Sequence, residues 1–297
     1  MKFDVIRHHR WWFAISSILV IVSIISIFTR GFNLGIDYTG GTIVEVEFAQ
    51  NVDVSQVRDV LKNYDLEIAQ IQLSGETAET SGKDVIIRTK NLSSTESDAV
   101  VNGLTKDLGG NTVKRVESVG AVIGSEVTKH ALINLAVAFI ALALYISYRF
   151  EYRVALSALA AIMHDLVMVL GVFSFFHLEI DAAFLAAILT VIGYSMNESV
   201  VIFDRIRENT HTHKRTDTFA DLANASIEQS IHRSIYTLST VMFACVSLYL
   251  FGGDTTKNFA LVMIIGFVSG AYSSICVATS LWAIWKSRNK NDARNQQ

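Results

Sequence analysis

Three ionisable residues stand where the surrounding sequence is apolar. Asp165, preceded by His164, sits inside one hydrophobic run. Glu198, preceded by Asn197, lies in another, within "GYSMNESVVIFDRIREN" (193–209), and Arg233, beside His232, opens a third. A carboxylate in hydrocarbon costs several kcal/mol or takes up a proton. Such groups face the interior of a helix bundle, pair with one another and mark ion or proton routes. Tyr194 and Ser195 fall within one turn of Glu198 and can share its face. On a helix rising about 1.5 Å per residue, Glu198 lies roughly 8 Å past the centre of its run. The chemistry open to this set is proton exchange. The alternative is a structural clamp, Glu–Arg or Asp–Arg, that holds the bundle together. Two carboxylates and one guanidinium leave one acid unpaired, which favours transport. Asp204, Arg205, Arg207 and Glu208 read instead as the solvated end of an interfacial helix.

The elements that must position these residues are membrane spans. The chain has 297 residues, 51% hydrophobic and only 18% charged, with mean hydropathy +0.37. Soluble domains carry about 25% charged residues. Windows of roughly 18 or more apolar residues mark candidate spans. Six appear, near 11–28, 131–148, 154–176, 182–203, 234–251 and 259–285, the last long enough to tilt or run into the interface. The net charge of −3 matters less than its distribution. Lys2, Arg7 and Arg10 precede the first span, and Arg149 and Arg153 lie between the second and third. Arg205, Arg207, Lys214, Arg215 and Arg233 lie between the fourth and fifth, and Lys286, Arg288, Lys290 and Arg294 follow the sixth. The intervening loops "HLEID" (177–181) and "GGDTTK" (252–257) hold one lysine between them. Basic short loops stay in the cytoplasm, so both termini are expected there. The first span has the basic start and apolar core of a signal peptide. Its length and the absence of a small-x-small cleavage site after it fit an uncleaved anchor better.

About a hundred polar residues separate spans one and two, and these predict a folded domain outside the cytoplasm. "GTIVEVEFA" (41–49) alternates as a half-buried strand, and "LEIAQIQL" (66–73), "DVIIRTK" (84–90) and "TVKRVESV" (112–119) also read as strands. "VDVSQVRDVLKN" (52–63) has helical spacing. A second helix opens on Ser93 and Glu96, at capping-box spacing, and stops at Gly109 and Gly110. The order β-α-β-β-α-β is the ferredoxin-like pattern, which is shared by many functions.

Cys245 and Cys276 lie in spans five and six, where they read as small packing residues. The polar domain has no cysteine and so no disulfide staple. No zinc spacing, P-loop, nucleophile elbow or dinucleotide fingerprint occurs, and no enzymatic activity, metal or cofactor is expected. Gly266 and Gly270 form a small-xxx-small pair suited to close helix contact.

The blocks "NLGIDYTGGT" (33–42), "FEYRVALSALAAIMHDLVMVLG" (150–171), "GYSMNESVVIFDRIREN", "SIHRSIYTLST" (230–240) and "YLFGG" (249–253) resemble the signature blocks of the SecF family of bacterial protein-export membrane subunits. The resemblance runs in order over almost the whole chain and relates it to the proton-driven RND superfamily. It implies a polytopic α-helical protein of the inner membrane, with six transmembrane helices and an α+β ferredoxin-like extracytoplasmic domain. Its divisions would be 1–29 (cytoplasmic start and first helix), 30–128 (periplasmic domain), 129–285 (five-helix bundle) and 286–297 (cytoplasmic tail). It implies SecD as partner, the SecYEG channel, with YajC and YidC, as neighbours, and exported unfolded polypeptides as clients. The proton gradient would be the energy source. Carried over position by position, the family's intramembrane acid falls on Glu198, its arginine on Arg233 and its His-Asp acid on Asp165. Asn197, Ser195, Tyr194 and His164 would support them.

The chain departs from that family twice. Glu198 replaces the usual Asp, which keeps the charge on a longer arm. The chain also has no proline, against roughly fifteen at average usage of about 5%, and Ala121 stands where the family shows Pro. In the proton reading, Glu198 is neutral when dry and charged when hydrated or near Arg233, and alternation between the two moves the outer domain. A stand-alone RND-like small-molecule exporter and a non-conducting translocon scaffold are the alternatives. Full-size RND exporters carry two six-span halves. A single half predicts an uncovered polar face for SecD, with Gly266 and Gly270 packing close to that contact.

Overall fold

A long apolar segment satisfies its backbone in lipid by becoming a helix, and the absence of proline removes the usual interruption. The computed structural model describes residues 4–74, 81–212 and 218–295, so Lys2, Lys214 and Arg215 of the basic loops lie outside the described residues. Six helical stretches are long and apolar enough to span a membrane. They are α1 (His9–Arg30), α5 (Ala121–Arg149), α6 (Tyr152–Phe175), α7 (Ala182–Thr212), α8 (Phe219–Phe251) and a broken sixth. The last is built from α9 (Asp254–Tyr272), a π-helical turn (Ser273–Ala278) and α10 (Thr279–Asn295). The chain divides into two compact units, Met1–Asn33 with Asn134–Gln297, and Leu34–Ile133.

In the first unit, α7 packs on α9, α6 on α1, α7 and the π turn, and α8 on α7 and α9. Half or more of α6, α7 and the last span is buried, against 17% of α1, 11% of α8 and 6% of α5. The centre of this unit is therefore α6, α7 and the broken span. Several helices outrun their predicted windows. α7 continues to Thr212, and α8 begins at Phe219 behind a Thr218–Asp221 capping box, which fixes its start well before the apolar run. A two-residue strand, β6 (Glu179–Ile180), lies between α6 and α7.

β1 (Asn33–Leu34) lies at the division, and the second unit then runs the short α2 (Ile36–Thr39), β2 (Gly41–Asp53), α3 (Val54–Lys62), β3 (Gln70–Ser74), β4 (Ser81–Thr89), α4 (Ser94–Leu108) and β5 (Asn111–Val119). The sheet order is β3-β4-β2-β5, with every pairing antiparallel. This is the ferredoxin-like arrangement read from the sequence. Val44, Val46, Phe48, Val85 and Ile87 meet Val57, Leu61, Val100 and Leu104 in its core. The Ser93–Glu96 capping box forms as predicted. The predicted half-buried alternation of 41–49 fails at its start, since residues 41–46 are all buried. Part of the reason is Glu45, which the Arg115 guanidinium covers at 3.7 Å. Gly40 and Gly41 both have positive φ, and a Cβ at Gly40 would strike the Ala121 backbone, so only glycine fits this turn. Ala121 itself is the first residue of α5, a position that tolerates proline. α5 is continuous from there, so the expected boundary at 128/129 falls inside a helix.

Candidate functional site

Small residues on one face of α6, Ala158 and Ala161, let neighbouring helices approach Asp165, which is 1% exposed. Its Oδ2 accepts from Ser195 Oγ of α7 at 2.6 Å and from Ser273 Oγ at 2.7 Å. Its Oδ1 accepts from Ser269 Oγ of α9 at 2.6 Å and lies 3.1 Å from His164 Nδ1. Three hydroxyls from two other spans thus replace the water a carboxylate would keep. The wider i→i+5 turn that begins at Ser273 faces two consecutive serines inward. Ser273 serves Asp165, while Ser274 Oγ lies 2.9 Å from Ser199 Oγ and donates to the Ser195 carbonyl at 3.3 Å.

Glu198 is 2% exposed, but its Oε2 has no hydrogen-bond partner. Tyr194 Oη, one turn earlier on α7, is also buried and unpartnered, and Ser234 Oγ of α8 faces the Glu198 carboxyl near enough to interact with it but without a formed hydrogen bond. Tyr194 rests its ring on Phe267, 4.5 Å between centroids. Arg233 is exposed and within electrostatic reach of Glu198, but no ion pair joins them. Arg233 therefore clamps neither Glu198 nor Asp165. Of the sequence-predicted residues, Asp165, His164 and Ser195 come together in one cluster, and Glu198 and Tyr194 in a second beside Ser234. Asn197 joins neither, because it lies on the exposed side of α7 with Thr190 and Gly193.

Gly266 and Gly270 correct another expectation. A Cβ at Gly266 would run into Val191, and one at Gly270 would come within 3.0 Å of Ser195. The pair packs α9 against α7 inside this chain rather than against a second subunit, and it brings Ser269 and Ser273 within reach of Asp165. Those two serines, with Ser199, Ser234 and Ser274, were not singled out from the sequence. The signal was present: Ser269 and Ser273 stand four apart in an apolar window, on the face where the glycines lie. No group of three or more potential metal ligands occurs among the described residues.

The arrangement contains one carboxylate with a full set of donors and one without, both buried inside the helical bundle. Comparison with known proteins places it. The profile "Protein export membrane protein SecD/SecF, C-terminal" matches residues 100–288, and "SecD/SecF GG Motif" matches residues 25–52, around Gly40 and Gly41. The Acidaminococcus fermentans protein translocase subunit SecF is 46% identical over 97% of this chain and 99% of its own. Its Escherichia coli O157:H7 counterpart is 35% identical over 94% and 86%. Protein translocase subunit SecDF of Bacillus subtilis is 35% identical over 97% of this chain but 38% of its own length. The crystal structure of SecDF, a translocon-associated membrane protein from Thermus thermophilus, superposes with TM-score 0.86 at 31% identity, covering 96% of this chain and 39% of that one. On these grounds the chain belongs to the SecD/SecF family of protein-export membrane proteins, as a multi-pass bacterial membrane protein.

Proposed function

We propose that this chain is the SecF-type half of a SecD–SecF assembly in the bacterial inner membrane, and that it spends the proton motive force on assisting Sec-dependent translocation. Both termini are cytoplasmic in this reading and the α+β domain is outside. The observation that carries it is the unpartnered Glu198 Oε2, buried beside two hydroxyls that also lack a formed hydrogen bond. A buried polar atom without a partner calls for an explanation, and for this carboxylate a proton or water that comes and goes supplies one. Glu198 exchanges the proton, Arg233 biases it from α8, and Asp165 with its serines is the fixed post against which the helices are held. No enzymatic step and no cofactor is needed, since each proton crossing supplies about 2.3 kcal/mol per 100 mV.

The partner half is SecD. This chain covers 39% of the SecDF chain whose fold it shares, and its own exposed polar positions, Asn197 and Arg233, suit a second half-bundle. SecYEG delivers the client, an unfolded polypeptide, with YajC and YidC as further neighbours. The scaffold reading keeps one support, the fully bonded Asp165, which is what a purely structural pin would look like. The test is export into inverted membrane vesicles with and without a proton gradient. Glu198→Gln should lose the gradient-dependent stimulation while keeping expression and SecD binding, and Glu198→Asp should retain it. A full response in Glu198→Gln leaves the scaffold reading in place.

A further inference from the structure

One edge of the membrane unit carries a cavity of about 380 Å³ that the proton site does not use. It forms where α5 ends, α6 and α8 begin, and α7 and α10 run out of the apolar zone. Its floor is aromatic. Trp282 of α10 is 4% exposed and makes edge-to-face contacts with Phe203 at 6.3 Å and Phe219 at 6.1 Å. The Trp282 indole N–H is buried without an acceptor, although such groups normally find one.

The rim is cationic. Arg149, Arg207 and Lys286 line it, against one acid, Glu151. Arg149 is held by Asp204 at 3.1 Å and Lys286 by Glu151 at 2.6 Å, both half-exposed pairs of the kind that exchange partners readily. Arg207 is exposed and has no ion pair among the described residues. A planar fork facing an aromatic floor suits a phosphate with an apolar body attached. Basic pockets between spans are where anionic headgroups dock. The volume exceeds what a bare phosphate would fill.

We propose that this cavity binds the headgroup of an anionic phospholipid. The phosphodiester lies on Arg207 and Lys286, and the glycerol and first acyl carbons lie over Phe203 and Trp282. The lipid adds to the aromatic and ionic contacts that already join the ends of α6, α7, α8 and α10.

The test is native mass spectrometry of the full-length chain in detergent, with phosphatidylglycerol or phosphatidylcholine added at equal concentration. Wild type should retain phosphatidylglycerol at least tenfold better than phosphatidylcholine. Arg207→Gln with Lys286→Gln should lose that preference, and Arg207→Lys with Lys286→Arg should keep most of it, with unchanged helical circular dichroism in each. Equal retention of the two lipids by wild type, or undiminished preference in the Gln pair, overturns the proposal. Inorganic phosphate in hundredfold excess should not displace the lipid. Displacement would make this a free-anion site and overturn the lipid assignment.

Discussion

Asp165 and Glu198 lie on packed helices, α6 and α7, and are almost equally buried, yet their surroundings are opposite. Asp165 collects three serine hydroxyls and a histidine nitrogen from three spans. Glu198 leaves an oxygen without a formed hydrogen bond, beside a tyrosine and a serine hydroxyl that also lack one. Burial alone therefore does not tell these two acids apart. The number of donors aimed at each does. A carboxylate with its donors fixed in the bundle resists change, whereas one lacking them gains from any event that brings a proton, a water or a cation.

The sharpest way to break this contrast is function. Glu198→Gln should abolish gradient-stimulated export and alter thermal unfolding by less than about 1 kcal/mol, because it removes no formed hydrogen bond at Oε2. Loss of fold in that variant would show that Glu198 is structural after all. Asp165→Ala should do the reverse. It strands three buried hydroxyls and opens a void, so a loss of about 3 kcal/mol or more is expected in detergent unfolding. Near-normal stability there would mean that the serines find other acceptors and the cradle is incidental.

The packing that creates the cradle can be tested next. Gly266→Leu forces a side chain into Val191 and should cost about 1–3 kcal/mol, lowering the unfolding midpoint while SecD capture from solubilised membranes continues for the folded fraction. Selective loss of capture without loss of stability would restore the intersubunit role expected from the sequence. The smallest effect lies in the α+β unit, where ordinary aqueous rules apply. Glu96 accepts from the Ser93 backbone N–H at 2.8 Å and from the Ser93 hydroxyl at 2.7 Å, and these bonds hold its carboxyl below the usual value of 4.5. Because the folded value is the lower one, the contribution is complete above about pH 4.5 and fades as the pH falls further. Hydrogen exchange of the first α4 amides should therefore be faster in Glu96→Gln than in wild type at neutral pH, with the gap closing below pH 4. A gap independent of pH would rule out the carboxylate.

Much of this protein is legible in its sequence. Six apolar windows and the alternation of basic and neutral loops predict six spans, because backbone hydrogen bonding in lipid leaves few choices. The β-α-β-β-α-β order followed from periodicity and a Ser93–Glu96 cap, both local signals. Local signals also named Asp165 and Glu198, since an acid in an apolar run stands out by composition. Other features depended on which residues meet across space. The serines around Asp165 come from positions 195, 269 and 273, and no spacing rule links the first to the other two. Asn197 was expected among the supporting polar residues, yet neighbours on a helix point about 100° apart, and its side of α7 is exposed. The π turn has no short sequence signature, but it sets which serines face inward. The sequence determined the elements and their chemistry, because hydrophobicity and capping act over a few residues. Only the tertiary structure decided which acid is fully bonded and which is left open, because donors arrive from helices that the chain brings together only after they have formed.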